Sequence, residues 1–308
     1  MPSNALVEST INSLSPEIYW KMNQTSGTTI PQNGTATTGA ISLSGTYTLA
    51  DDELIIGDAA RFITFGTDGK GTASRGNFSV PVEPMSTSFL MKIKADFSDY
   101  TSAPYIFNLG ASGESSTVNV QASVRFTFPN RWISTLFERG NGVDKTADYG
   151  LIFPGNFYSS NTVYHIAITR GPDEITNILK ERVYVNGTLR FTSYLDDGYP
   201  NGGSDASTFY INTIWDDRPG FNISLGHFAI WDRVISRSDI YSIAEAAGYN
   251  TYQYLPPRDT ASNTYWGTYE SIQANLKQSV SKTLLIPSDP LINRSIINPE
   301  EAYENVEF

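Results

Sequence analysis

Two alternating segments, the second of which meets an Asn-Gly pair, and a later segment that runs into a capped helix, constrain this chain more than anything else in it. The first segment is Tyr164-His-Ile-Ala-Ile-Thr-Arg170 and the second is Val183-Tyr-Val-Asn-Gly-Thr-Leu189. Asn-Gly after an alternating run favours the left-handed backbone angles of a tight hairpin. The later block is Leu225-Gly-His-Phe-Ala-Ile-Trp-Asp-Arg-Val-Ile-Ser-Arg-Ser-Asp-Ile240. Its second half carries Ser236 as N-cap and Asp239 three residues on, a capping box, with Ile235 and Ile240 placed as a hydrophobic staple. Ile240, Ile243, Ala244 and Ala247 then form one apolar stripe, and Gly248 stands where a left-handed residue ends a helix.

The rest of residues 16–248 repeats the strand theme. Short runs such as Ile18–Met22, Thr46–Leu49, Arg61–Phe65, Thr87–Lys94, Tyr105–Leu109, Ile133–Phe137, Gly150–Phe153 and Phe209–Ile214 are separated by Gly, Pro, Asn and Asp. Phe89, Met91 and Ile93 share one face of their run. Many short strands divided by turn residues predict a two-sheet sandwich or jelly roll. Gly66-Thr-Asp-Gly-Lys-Gly71 lacks the pattern of a phosphate loop and reads as a turn.

Both ends read differently. Residues 1–15 are polar with no clear period and are expected to be an arm. From 249 to 308 the chain becomes tyrosine-rich, then proline-broken and acidic, with an amphipathic helix expected at 265–280. Tyr252, Tyr254, Leu291, Ile292, Ile296 and Ile297 have no evident core of their own there, so this tail is expected to gain order from neighbouring subunits.

Composition removes whole classes of function. A net charge of −11, with no run of Lys or Arg, argues against nucleic acid as a partner. The absence of cysteine excludes disulfides and thiolate chemistry. No apolar run approaches a membrane span, and Met1–Glu8 lacks the basic and apolar regions of a signal peptide.

Residues 16–248 resemble a laminin-G-like jelly-roll domain of the concanavalin A-like lectin/glucanase superfamily. Ile18-Tyr-Trp-Lys-Met-Asn-Gln-Thr-Ser-Gly27 is similar to the family's opening strand and turn, Ser86–Lys94 to an outward-presenting strand, and Val163–Arg170 with Val183–Leu189 to the paired late strands. His227–Ile240 is similar to the final strand and its helix. The fold expected is therefore all-β: a concanavalin A-like two-sheet sandwich with one short capped helix and extended arms at both ends.

Glucanases of that superfamily carry a Glu-x-Asp-x-x-Glu strand, which aligns nucleophile and acid/base on one face. This chain has no such run, and a non-enzyme is expected. His165 and His227 read as satisfied strand histidines rather than catalytic bases. Relatives that bind Ca²⁺ use loop carboxylates. Asp51-Asp52, Asp196-Asp197 and Asp216-Asp217 are the candidate pairs, the last two preferred, set against an ordinary turn role. No cofactor is required. Trp215, then Tyr199, would serve as an aromatic platform for a sugar, set against simple packing at the sandwich edge.

The resemblance extends to structural proteins of tailed phages. It implies a non-enzymatic virion protein, a capsid decoration or tail component made in a host cytoplasm. Its jelly roll would face outward and its arms would bind other virion proteins and copies of itself. The alternative is a carbohydrate-binding adhesion module.

Overall fold

The structure, a computed structural model, describes residues 1–74, 76–77, 84–94, 105–110, 120–127, 132–136, 161–172, 179–194, 208–213 and 220–249. The chain divides into two compact units, Met1–Asn250 and Thr251–Phe308. The second lies outside the described residues, as do Tyr252, Tyr254, Leu291, Ile292, Ile296, Ile297 and the helix expected at 265–280.

Among the described residues the first unit runs α1 (Asn4–Ser13), β1 (Ile18–Trp20), β2 (Thr29–Ile30), β3 (Ile41–Ser44), β4 (Tyr47–Glu53), β5 (Arg61–Phe65), β6 (Lys70–Ser74) and β7 (Met85–Ile93). It continues through β8 (Tyr105–Gly110), β9 (Val120–Thr127), β10 (Trp132–Leu136), β11 (Val163–Pro172), β12 (Leu179–Val185), β13 (Thr188–Tyr194), β14 (Thr208–Ile211), β15 (Ile223–Trp231) and α2 (Arg237–Ala246). The strands form two antiparallel sheets. One has the order β13-β12-β11-β7-β15-β5-β4 with β1 also on β15; the other is β10-β9-β8-β14-β6-β3-β2. The molecule is a two-sheet all-β sandwich.

Aromatic side chains fill the space between the sheets. Trp20 meets Phe209 edge-on at 5.4 Å between ring centroids, and Phe228 lies between Phe89 at 5.4 Å and Phe107 at 5.2 Å. Trp20, Phe89 and Phe228 come from the first sheet, Phe107 and Phe209 from the second. The Trp20–Phe209 and Phe107–Phe228 edge contacts therefore tie the sheets together.

The outer face of the first sheet has a second apolar layer. Registers align Leu189, Tyr184, Ala167, Ser88, Ala229 and Tyr19 in one row across six strands. The small residues at the middle of that row leave room for helices. Val7 and Ile11 of α1 and Ile240, Ile243 and Ala244 of α2 fill it.

α2 has the capping box and C-terminus that its sequence implies. The Ser236 hydroxyl accepts from Asp239 N, and Asp239 accepts from Ser236 N. Tyr249 N donates to Ala244 O and Gly248 N to Glu245 O around a Gly248 φ of 87°, a Schellman end. Asn186 (φ 52°) and Gly187 (φ 77°) make the β12–β13 hairpin turn. A Cβ on Gly187 would come within 3.2 Å of Ala244 Cβ, so this turn is also the seat of α2.

Three expectations are corrected. Among the described residues the sandwich carries two short helices rather than one, and residues 1–15 are not an extended arm. Ser3 Oγ accepts from Leu6 N to cap α1, and Val7 and Ile11, one turn apart, are fully buried. Lys70–Ser74, partly read as a turn, is strand β6. Its Gly71 is a packing residue, because a Cβ there would sit 2.5 Å from Ile41 Cγ2. The run Gly150–Phe153 lies outside the described residues.

Candidate functional site

Trp215, Tyr199, Asp196, Asp197, Asp216 and Asp217 all lie outside the described residues, but the roots of their segments do not. Segment 195–207 joins the end of β13 to the start of β14, and segment 214–219 follows the end of β14. The two are thus rooted at opposite ends of one short strand.

The second root is held by Asn212, which is fully buried with φ 58°. Its Nδ2 donates to Gly66 O (3.1 Å), Gly69 O (2.9 Å) and Phe221 O (2.9 Å), and its Oδ1 accepts from Phe221 N (2.8 Å). One side chain therefore closes the loop from 212 to 221 and fastens it to the 66–69 turn. Any side chain at Gly220 would collide with Asn212.

The third candidate acidic pair is described, and it does not fit a cation. Asp52 receives Lys92 Nζ at 2.9 Å and Lys94 Nζ at 3.1 Å, while Asp51 receives Lys94 at 2.6 Å. Ser224 Oγ also donates to Asp52 and lies 2.7 Å from Thr64 Oγ1. Hydrogen bonds from Lys94 and Thr64 hold the Asp51 carboxyl below its usual range. Burial pushes Asp52 up, but bonds from Ser224, Lys92 and Lys94 outweigh it and the net direction is down. Two carboxylates meet two ammoniums here, which cancels the charge that Ca²⁺ would need. Among the described residues, no group of three or more His, Asp or Glu could hold a metal ion.

Both histidines are sealed. His165 is fully buried, its Nε2 2.9 Å from Ser88 Oγ and its backbone clamped by Asn186. Burial pushes it down to about 3. His227 occupies an irregularity in β15 with φ 49°, where the strand's neighbour changes from β5 to β1. Its Nδ1 lies 2.7 Å from Tyr19 Oη and its Nε2 3.0 Å from Asn4 Oδ1 of α1.

Burial drives His227 down to about 3 and raises Tyr19 far above the phenol range. Groups so shifted and closed to water do not exchange protons with a substrate near neutral pH. The residues that organise these two places, Asn212 at one and Asn4, Tyr19 and His227 at the other, were not legible as sets. Tyr19 and His227 stand 208 positions apart, and no spacing rule connects them.

No protein-family model matches the chain, and no curated protein matches it. Solved structures do. The binding domain of botulinum neurotoxin DC in complex with rat synaptotagmin II aligns with a TM-score of 0.53 at 18% identity, over 78% of this chain and 53% of that one. A structure described as a receptor binding domain aligns at 0.50 and 18%, over 80% and 53%. A Trypanosoma rangeli sialidase aligns at 0.48 and 13%, over 76% and 33%. The first two likenesses show a shared fold, and the chain spans about half the length of each. Among the described residues, no helix is long and apolar enough to cross a membrane.

Proposed function

We propose that this chain is a non-catalytic attachment module, a rigid sandwich whose rim segments recognise a partner at a cell surface. The observation that carries this reading is the Asn212 clamp. It gives segment 214–219, with Trp215, Asp216 and Asp217, a fixed base, whereas the described histidines and the Asp51-Asp52 pair are consumed internally. The fold likeness to a domain solved in complex with rat synaptotagmin II supports a binding role over a catalytic one. A glycan is the partner favoured by Trp215 and, at the other root, Tyr199. Asp216-Asp217 and Asp196-Asp197 would each offer Ca²⁺ two carboxylates.

A glycan array probed with the full chain, with and without calcium, tests this. We expect binding that falls at least tenfold in Trp215→Ala. Binding unchanged in both Trp215→Ala and Tyr199→Ala would remove the aromatic platform from the proposal, and no glycan bound at all would turn the search to protein receptors.

A second reading places the module on a virion, as a decoration or tail component assembled through residues 251–308. The separate compact unit there supports it, as do the isolated apolar residues Leu291, Ile292, Ile296 and Ile297. Linked weak contacts along such a segment raise affinity through effective concentration. Removing 251–308 would then abolish assembly with other virion proteins and leave glycan binding intact. Normal assembly of the shortened chain would end this reading.

A further inference from the structure

The polar network under α1 has an arrangement that ordinary packing does not require. Asn4 Nδ2 donates to Glu8 Oε1 at 2.8 Å, which fixes the amide so that Oδ1 faces His227 Nε2. An amide oxygen only accepts, so Nε2 carries the proton, and Nδ1 is left to accept from Tyr19 Oη. His227 is thus held as the neutral Nε2–H tautomer, covered by α1. Glu8, the nearest carboxylate on that helix, is already engaged by Lys21 Nζ at 2.6 Å.

The helix above this network is held lightly. It is 10 residues long, too short to be stable alone, and buries two large side chains, Val7 and Ile11. Its other ties are Ser3 N to Ala246 O, Asn4 N to Asp58 Oδ2, a long bond from Asn23 Nδ2 to Glu8 Oε1, and bonds from Trp231 Nε1 and Arg233 Nη2 to Leu14 O just beyond its end. Such an element opens before the strands it covers.

We propose that α1 is an acid-released latch: protonation of His227 undocks the N-terminal helix while the sandwich stays folded. The charged and titratable groups facing His227 are Glu8 from α1, Tyr19 from β1, Lys21 just after β1, and Asp58 from the segment before β5. The Phe62 ring of β5 closes the remaining side at 5.2 Å. Glu8 and Asp58 favour the imidazolium and Lys21 opposes it, while burial outweighs all three.

The sign follows from linkage. A docked His227 titrating near 3, against an ordinary value of about 6.5 once α1 has left, means that the released state binds the extra proton. Docking is strongest above pH 6.5 and weakens about tenfold per pH unit below it, until the docked value is reached. Tyr19, Trp231 and Ala229, buried in the layer that α1 helps to cover, would then meet solvent.

Hydrogen exchange on the full chain between pH 7.5 and 5.0, with times scaled to the intrinsic rate, reads this directly. We expect protection of Asn4–Ser13 to fall about thirtyfold from pH 7.5 to 5.0 while β7 and β11 keep theirs. His227→Gln, uncharged throughout, should remove the fall. The proposal is overturned by equal protection of α1 at both pH values, or by α1 losing protection together with β7 and β11. A fall as steep in His227→Gln as in the wild type overturns it equally. If His227→Gln does not fold, the wild type still decides, through the separate readings from α1 and from β7 and β11.

Discussion

Asn212 and His227 both hold positive φ in the interior, where glycine would be the easy choice, and both are retained by what their side chains bond. For Asn212 the bonds can be counted. Alanine there would leave the carbonyls of Gly66, Gly69 and Phe221 and the amide of Phe221 short of a partner, in a site with no exposure. It would also hold an L-residue at φ 58° without the local polar compensation that asparagine has. We expect Asn212→Ala to cost about 3 kcal/mol in urea unfolding, and Asn212→Gly about 1 kcal/mol less because the backbone strain is relieved. Equal costs would mean that the left-handed backbone stores no strain. Either change should also weaken whatever binds at Trp215, because the clamp spans that segment's two roots.

At the scale of elements, the helix that was readable and the one that was not differ in how they are specified. α2 announces itself by Ser236, Asp239, a four-residue stripe and Gly248, all within thirteen positions. α1 shows two buried residues, Val7 and Ile11, beside an exposed Leu6 that blurs the stripe, and its docking depends on Tyr19, Trp231 and His227 from distant strands. Arg61–Phe65 was legible because bulky residues line it, whereas β3 and β6 were not. β6 carries Gly71 and Ala73 at its buried positions, where Ile41 leaves no room for a larger group at Gly71, and β3 is only four residues long, with Ile41 and Leu43 inward and Ser42 and Ser44 exposed.

The same contrast ranks two substitutions at α2. Ser236→Ala removes an exposed cap and should cost about 1 kcal/mol. Gly187→Val should cost more, about 3 kcal/mol. It forces a β-branched residue to φ 77° and pushes a Cβ to 3.2 Å from Ala244 and 3.3 Å from Tyr241. Denaturant midpoints of the two variants check the order. A smaller cost for Gly187→Val would show that α2 is not seated on the hairpin turn.

For the whole molecule, the question is where the sandwich ends. Sequence texture put the change after Gly248, since Tyr249 begins the tyrosine-rich run. In the structure Tyr249 belongs to the sandwich: its ring is buried, its Oη donates to Leu54 O at 2.9 Å, and its N–H closes α2. A tyrosine that caps a helix and fills the outer layer looks, in sequence alone, like the first residue of the tail. The two boundaries can be separated by cutting the chain at each. Residues 1–250 contain every contact named above, and we expect them to fold cooperatively and remain soluble. Residues 1–248 lose a buried aromatic ring and leave the carbonyls of Ala244 and Leu54 without those bonds, so they should be about 3 kcal/mol less stable. Urea unfolding of the two fragments, followed by the same probe, gives the comparison. Equal midpoints would move Tyr249 out of the sandwich, and failure of 1–250 to fold would mean that the sandwich draws on residues beyond 250 for its stability.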